Sequence, residues 1–148
     1  MKIEHIGISV PDPIAMGKWY AQHLGFRIIF SGSGDSDGVS FVIDRPDGTV
    51  LELFKLPDVP PIDAKGMQPI QLHLAVECEN PKAEIDRLVQ AGAQFVGECP
   101  RNSYPGEKFF VRDPWGFVLQ VMNRKEKLQT KEVAQQSGSG YRPPAARG

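Results

Sequence analysis

The sequence predicts an α+β fold in which a βαβββ module occurs twice in tandem and forms a curved mixed sheet. Two observations lead to this prediction. A strand-like segment that contains His5 is followed 68 residues later by a similar segment that contains His73. The helix start at Pro13 has its counterpart at Pro81, again 68 residues later. A fixed offset of this kind is typical of an internal duplication.

Each module begins with a short strand. In residues 5–10, isoleucine and valine alternate with His5 and with small residues, which is the period-two pattern of a strand with one buried face. Residues 73–76 repeat this alternation after His73. Both histidines are therefore predicted to lie on the face that carries the small and polar side chains.

A helix is predicted directly after each of these strands. Asp12 and Asn80 stand immediately before a proline, and both residue types commonly cap helix N-termini. Proline is favourable at the first helical position, because the N–H group that it lacks has no partner within the helix. Gly25 and Gly92 follow the last apolar residues of each segment and predict the two helix ends.

Three further strands complete each module. Residues 26–31 and 94–97 are short apolar segments that follow the helices. Tight turns are predicted at residues 45–48 and 113–116, and an alternating strand follows each turn. The order strand, helix, strand, strand, strand therefore occurs in both halves.

The chain is long enough for one domain. Its 148 residues can bury a core but are too few for two ordinary domains. We assign residues 1–123 to this domain, with residues 1–56 as the first module, residues 57–69 as a proline-rich linker and residues 70–123 as the second module. Residues 124–148 are rich in Gln, Ser, Gly and Pro, which is typical of a disordered tail.

Composition excludes several classes of partner. The chain has 17 basic and 18 acidic residues and no cluster of Lys and Arg, so we expect no nucleic-acid partner. It has no apolar run of the length that a secretory signal or a membrane span needs, so we expect a cytoplasmic protein without a membrane partner. Cys78 and Cys99 are then expected to be reduced thiols.

Four polar side chains occupy equivalent positions in the two modules. Glu52 follows His5 by 47 residues, and Gln120 follows His73 by the same 47 residues. Because side chains alternate along a strand, each lies opposite the apolar residues that should pack against a helix. We therefore expect four side chains to line one concavity: His5, Glu52, His73 and Gln120.

This set of side chains suits a divalent metal ion. Two imidazoles and a carboxylate are ligands for Zn, Ni, Co, Mn or Fe(II), and the amide oxygen of Gln120 adds a weak fourth donor. A lone strand histidine more often forms a hydrogen bond at a sheet edge. The repeated spacing favours the metal site, and a purely structural amide remains the alternative for Gln120.

These residues resemble the vicinal oxygen chelate superfamily, which includes glyoxalase I, methylmalonyl-CoA epimerase, extradiol dioxygenases and fosfomycin- and bleomycin-resistance proteins. The resemblance covers residues 1–123 and rests on His5, on Glu52 at the end of Asp47-Gly48-Thr49-Val50-Leu51-Glu52, on His73, and on Gln120 at the end of Asp113-Pro114-Trp115-Gly116-Phe117-Val118-Leu119-Gln120. It implies a glyoxalase-like fold that binds a divalent metal ion and a small substrate.

The resemblance implies a lyase or isomerase that binds adjacent oxygens of its substrate on the metal ion and stabilises an oxyanion. Glyoxalase-like members usually have a glutamate at the position of Gln120, and that glutamate can act as the base. An amide cannot accept a proton near neutral pH, so the base would be Glu52, a metal-bound hydroxide or another group. The missing carboxylate leaves the site more positive, which makes the ion a stronger Lewis acid.

Two other functions are compatible with the same resemblance. One is a non-catalytic binding or resistance module, in which the concavity holds an apolar ligand and the quartet is vestigial. The other is an Fe(II) extradiol-type dioxygenase, because His5, His73 and Glu52 could form a facial triad. Metal content distinguishes the first alternative from the enzyme, and dependence on dioxygen distinguishes the second.

Other residues are candidates for the substrate pocket. The segment 102–108 has the composition of a mobile loop and could cover a substrate, although a plain surface hairpin fits it equally well. Arg101, Lys108 and Arg112 could hold a substrate carboxylate, but long basic side chains are usually solvated, which is what we expect here. Sheet edges that need cover lead us to expect a homodimer, with the modules paired within one chain or across two.

Overall fold

In the computed structural model, the described residues are 2–33, 37–46, 48–100 and 106–124. Along them the chain forms eight strands and two helices in the order β1 (Ile6–Ser9), α1 (Pro13–Leu24), β2 (Arg27–Gly32), β3 (Gly38–Ile43), β4 (Val50–Lys55), β5 (Leu74–Glu77), α2 (Pro81–Gln90), β6 (Gln94–Glu98), β7 (Lys108–Arg112) and β8 (Val118–Met122). This order is the predicted βαβββ module, found twice. The predicted disordered tail lies outside the described residues, apart from its first residue.

Both helices begin as the sequence predicts. The Oδ1 atom of Asp12 accepts a hydrogen bond of 3.0 Å from the backbone N–H of Ala15, three residues further on. Asn80 makes the equivalent bond of 3.2 Å with Ala83. The helix α1 ends at Gly25, whose φ of 73° lies in the left-handed region that favours glycine. The two modules thus share the same N-terminal capping chemistry, whereas α2 ends at Ala91 without a left-handed residue.

Each module forms its own four-stranded mixed sheet. The strand orders are β1-β4-β3-β2 and β5-β8-β7-β6, so the first strand of each module pairs with the last. That pairing is parallel in both modules, and the remaining pairings are antiparallel. The register shifts between Ile28 and Phe30 in the first sheet and between Phe95 and Gly97 in the second. The α+β fold of two tandem modules is therefore confirmed, with the curved sheet divided into two halves.

The core lies on the helix side of both sheets. Among the described residues, buried apolar side chains of both modules form one cluster, which includes Met16 and Tyr20 of α1, Leu88 of α2, and Leu53 and Leu119 of the last strands. Burial of this shared apolar surface is the main stabilising contribution that holds the modules together. We call the opposite face of each sheet, which carries no helix, the helix-free face.

Polar bonds between the modules reinforce this shared core. The indole Nε1 of Trp19 donates a hydrogen bond of 2.9 Å to the backbone carbonyl of Ala91, immediately after α2. The linker also takes part, because the backbone N–H of Ile62 donates to the carbonyl of Ser9 at 2.9 Å. The first bond fixes α1 against the second module, and the second fixes the linker against the end of β1.

Neither helix of the described chain is long and apolar enough to span a membrane.

Candidate metal centre

The first half of the predicted site is assembled in the structure. His5 lies immediately before β1, and the parallel pairing of β1 with β4 places Gly7 opposite Glu52. The Nε2 atom of His5 lies 3.2 Å from the Oε2 atom of Glu52. The side chains are 37% and 27% exposed, so solvent or a ligand can reach both donor atoms. The first strand and the last strand of the module therefore bring this pair together.

A neighbouring carboxylate orients the His5 ring. The Nδ1 atom of His5 contacts the Oε2 atom of Glu4, which leaves Nε2 facing Glu52. The hydrogen bond to Glu4 is the main reason why the pKa of His5 is raised above its ordinary value, and Glu52 raises that pKa further. A carboxylate on the second nitrogen commonly fixes the tautomer of a metal-binding histidine. Glu4 occupies this position.

The small size of Gly7 makes room for the Glu52 carboxylate. A Cβ atom at Gly7 would lie 3.2 Å from the Oε2 atom of Glu52 and 3.4 Å from the ring of Phe54. The ring of Phe41 meets the imidazole of His5 edge-on, with centroids 6.0 Å apart. The pair therefore sits against an aromatic wall, with no side chain between Glu52 and β1.

The second half of the predicted site has the same strand arrangement. His73 immediately precedes β5, and β5 pairs with β8 so that Ala75 lies opposite Gln120. The His73 ring packs edge-on against Phe110 at 5.3 Å, and its Nδ1 atom is buried without a hydrogen-bond partner. A buried imidazole nitrogen without a partner is available for a metal ion or a proton donor.

Gln120 is 6% exposed, and its amide has a sulfur neighbour. The Nε2 atom of Gln120 lies 3.6 Å from the Sγ atom of Cys99, which can accept a weak hydrogen bond. In this orientation the Oε1 atom points away from Cys99. Cys99 therefore helps to set which end of the amide is presented to a ligand.

The structure shows each half of the predicted site separately. Among the described residues, no group of three or more His, Cys, Asp and Glu side chains is placed to hold a metal ion. The expectation that His5, Glu52, His73 and Gln120 line one concavity stays a prediction.

Two of the three basic candidates, Arg112 and Lys108, lie within the described residues. The Nη1 atom of Arg112 donates to the carbonyls of Ala64 at 2.6 Å and Gly116 at 2.8 Å, and its Nη2 atom donates to Met67 at 2.7 Å. Arg112 therefore clamps the linker onto the second module and is not solvated. Lys108 is 7% exposed, so the expectation of a solvated side chain is also wrong for this residue. Arg101 and most of segment 102–108 lie outside the described residues.

Cys78 and Cys99 form no disulfide within the described residues. Burial raises the pKa of Cys78 from its usual value to about 11, with a smaller contribution from Glu84. Cys78 therefore remains a protonated thiol at neutral pH. Cys99 contacts the candidate ligand Gln120.

Comparison with known families agrees with this duplicated arrangement. A sequence profile described as the glyoxalase/bleomycin resistance protein/dioxygenase superfamily matches residues 2–121. The chain belongs to this superfamily. No curated protein gives a significant sequence match.

Solved structures of superfamily proteins share the fold. The trypanothione-dependent glyoxalase I of Leishmania major is 21% identical, covers 83% of this chain and 86% of its own, and has a TM-score of 0.62. The fosfomycin resistance protein FosX of Listeria monocytogenes, complexed with Mn(II) and sulfate, is 14% identical over 83% and 90% of the chains, with a TM-score of 0.62. TnmS3, an antibiotic-binding protein of a Streptomyces species, is 23% identical over 84% and 98%, with a TM-score of 0.55.

The spacing of the donor atoms in the first half of the site fits a divalent ion. Metal bonds to histidine nitrogen and carboxylate oxygen are about 2.0–2.2 Å long, so two donors of one ion stand about 3 Å apart. The separation of 3.2 Å between His5 and Glu52 agrees with this spacing. His5 and Glu52 would hold the ion from one side, and His73 and Gln120 supply an equivalent pair.

Some residues of this site are missed by reasoning from sequence. Glu4 carries a weak signal, namely a carboxylate beside a candidate ligand, whereas Cys99 and Phe41 have none. Both come into contact with the candidate ligands through antiparallel pairing with distant strands. Their roles depend on register, which single residues do not reveal.

Proposed function

We propose that this protein is a metal-dependent lyase or isomerase that acts on a small molecule with two adjacent oxygens. The divalent ion would be held by four side chains: His5, Glu52, His73 and Gln120. The main support is the 3.2 Å approach of His5 to Glu52 on a solvent-accessible sheet face, in a module that the chain repeats. A second histidine and a second polar residue occupy the equivalent strands of the other module.

We further propose that each complete centre forms between two copies of the chain. His5 and Glu52 are partly exposed, and in the described part of the chain they belong to no group of three or more His, Cys, Asp and Glu side chains placed to hold a metal ion. A twofold axis would place the first module of one copy against the second module of the other and thus create two equivalent centres. The predicted homodimer would then be a requirement for metal binding, because one chain supplies two donors to each centre.

The residues around the proposed centre would have separate roles in the reaction. A bound divalent ion supplies Lewis acidity toward adjacent substrate oxygens. Glu52 is the carboxylate of the quartet and can accept a proton from a substrate carbon, whereas the amide of Gln120 cannot. Glu4 holds the His5 ring through Nδ1. Phe41 and Phe54 border the pair and exclude water from one side of the substrate.

Metal content tests the centre directly. The protein would be purified without chelators and analysed by elemental mass spectrometry, beside His5→Ala and His73→Ala and a His23→Ala control. His23 lies on α1, where it stacks on Trp19. We expect about one ion per chain in the wild type and the control and strong loss in the other variants. Wild-type protein that binds no ion after incubation with Zn, Ni, Co, Mn or Fe(II) would refute the metal proposal.

Mixing the variants tests assembly across two copies. A dimer of His5→Ala with His73→Ala has one centre with all four ligands and one centre that lacks both histidines. We therefore expect the mixed dimer to regain half of the wild-type metal content. If the ligands came from a single chain, every centre would lack one histidine, and mixing would restore nothing.

A binding module is the second candidate function. Its support is the apolar character of the first helix-free face, where Phe30 is 54% exposed and Phe41 and Phe54 are half-buried. The antibiotic-binding TnmS3 shows that the fold can serve this role. Ligand binding that is unchanged in the metal-free protein and in Glu52→Gln would favour the module over the enzyme. An Fe(II) ion together with substrate-dependent uptake of dioxygen would instead favour the ring-cleaving alternative.

A further inference from the structure

An apolar groove runs between α2 and the edge strand β6 of the second module. It has a volume of about 620 Å³, and its apolar lining consists of Ile85, Val89, Phe95 and Phe109. Val89 is 43% exposed and Phe95 is 49% exposed, so two large apolar side chains face solvent here. Because side chains alternate along a strand, the groove lies on the opposite face of the sheet from Gln120.

The internal repeat explains why the second module has this groove. In the first module α1 approaches β3 through two small residues, since a Cβ atom at Gly17 would lie 2.8 Å from the Cβ atom of Ser40. Ile85 follows Gly17 by the repeat offset of 68 residues. Phe109 has the register position in β7 that Ser40 has in β3. The distance between packed elements depends on the side chains at their contact, so two large residues hold α2 away from its sheet.

The described part of the chain ends beside this groove. A Cβ atom at Gly106 would lie 3.3 Å from the Cα atom of Arg124, so these two backbone segments are in contact. Gly106 lines a cleft of about 180 Å³ together with Lys82 and Phe109, and the latter two also line the groove. Residues 125–148 follow. An extended chain covers about 3.3 Å per residue, so about five residues span the roughly 15 Å length of α2.

The charge of residues 125–148 is opposite to that of the preceding chain. They contain five basic and two acidic side chains, whereas the whole chain has a net charge of -1. Asp86 lines the groove, and Glu98 lines the adjoining cleft. The positive charge of Lys82 at the groove is paired with Glu107 at 3.2 Å. A basic segment that contains Leu128 therefore has both charge complementarity and an apolar side chain for this surface.

We infer that residues 125–134 of the same chain dock in the groove, with Leu128 packed against Val89 and Phe95. Docking removes the exposed apolar side chains from water, which supplies the favourable free energy. The sequence of this segment predicts disorder because it contains too few apolar residues to form a core. The groove supplies the apolar partner that the segment lacks. This inference does not depend on the proposed metal centre, which lies on the other face of the sheets.

Hydrogen exchange of the tail amides in the full-length protein tests this docking. Mass spectrometry after rapid labelling compares residues 125–134 of the protein with a synthetic peptide of the same sequence. The variants are Phe95→Asp in the groove, Leu128→Asp in the tail and the control Ile29→Asp. Ile29 lies on the edge strand of the first module and is 49% exposed, as Phe95 is. Leu128→Asp changes no residue of the groove, so it keeps the test valid if Phe95→Asp does not fold.

We expect residues 125–134 to exchange about tenfold more slowly than the peptide in wild type and in the control. A short tether gives an effective concentration of about 1 mM, so a contact with a dissociation constant of about 0.1 mM forms about nine-tenths of the time. Exchange then proceeds from the remaining undocked fraction. Phe95→Asp and Leu128→Asp should bring the rate to within about twofold of the peptide, because each buries a carboxylate against apolar side chains.

Three results would overturn the inference. The first is a wild-type tail that exchanges as fast as the peptide. The second is protection that survives both Phe95→Asp and Leu128→Asp, since the tail would then bind elsewhere. The third is protection that disappears on dilution of the protein, since the tail would then bind the groove of a second copy. Loss of protection in Ile29→Asp as well would equally refute a role specific to the groove.

Discussion

The hydroxyl of Tyr20 donates a buried hydrogen bond of 3.0 Å to the Oδ2 atom of Asp113. Tyr20 lies on α1 of the first module, and Asp113 begins the turn before β8 of the second. The other oxygen of Asp113 accepts from the backbone N–H groups of Trp115 and Phe117. One carboxylate therefore shapes the turn that leads to Gln120 and ties that turn to the other module.

Removal of the Tyr20 hydroxyl should destabilise the fold. Tyr20→Phe leaves the ring packed but deprives the buried carboxylate of a donor, and we expect the free energy of unfolding to fall by about 1–3 kcal/mol. Urea denaturation measures this change. In an Asp113→Asn background the same substitution should cost less, because the two residues share one interaction. Equal costs in both backgrounds would argue against the bond.

Stability should depend on pH through Asp113. Burial raises the pKa of this carboxyl from 3.8 to about 6, while the hydrogen bond from Tyr20 opposes the rise. Between these two values the folded state binds the proton more tightly than the unfolded state, so protonation of Asp113 favours folding. The penalty for the buried charge is fully present above about pH 6 and disappears as the pH falls toward 3.8.

Asp113→Asn isolates this effect from the other titrating groups. We expect the unfolding free energy of wild type relative to the variant to increase as the pH falls from 7 to about 4. Chemical denaturation of both proteins across this range measures the difference. A difference that is constant, or that decreases toward low pH, would contradict the raised pKa.

A methyl group at Gly7 should disturb the His5–Glu52 pair. In Gly7→Ala the new Cβ atom would lie 3.2 Å from the Oε2 atom of Glu52, so the carboxylate must move. We expect metal affinity to fall by about 10–100-fold, as for other changes that reorient a ligand. Metal titration followed by calorimetry measures the affinity.

Ser9→Ala is the matched control for Gly7→Ala. Ser9 lies two residues further along the same face, and its buried hydroxyl has no hydrogen-bond partner. Its removal should leave metal affinity unchanged and stability unchanged or slightly higher. Equal metal affinities in the two variants would contradict the expected disturbance of the His5–Glu52 pair.

Loss of the Arg112 clamp should loosen the linker. Arg112→Met removes charge-assisted bonds to the carbonyls of Ala64, Met67 and Gly116, and we expect a loss of about 2–3 kcal/mol in the free energy of unfolding. Trypsin should then cut faster after Lys65, which is exposed in the linker.

Arg27→Met serves as the control for the clamp, because Arg27 is an exposed arginine at the start of β2. The Arg27→Met protein should match wild type in its rate of cleavage after Lys65 and in its free energy of unfolding. Mass spectrometry of the fragments identifies the cut. Unchanged cleavage after Lys65 in Arg112→Met would show that other contacts hold the linker.

Local patterns in the sequence predicted the helices and strands and the approach of two candidate ligands, His5 and Glu52, in the first module. Asp12 and Asn80 cap helices because their side chains suit the free N–H groups at a helix start, and this interaction is local. The shared spacing of 47 residues in the two modules predicted that His5 lies near Glu52, and the structure shows this contact. Both the duplication and the period of a strand can be recognised from the order of the residues.

Only the tertiary structure decided how the two modules face each other. The hydrophobic effect is non-directional, so the apolar faces of the two sheets could pack against each other in more than one orientation. Here they form one core, and in the described part of the chain His5, Glu52 and His73 form no group placed to hold a metal ion. The burial of Lys108 and the clamp formed by Arg112 likewise depend on strand register and on the path of the linker, which no local pattern specifies.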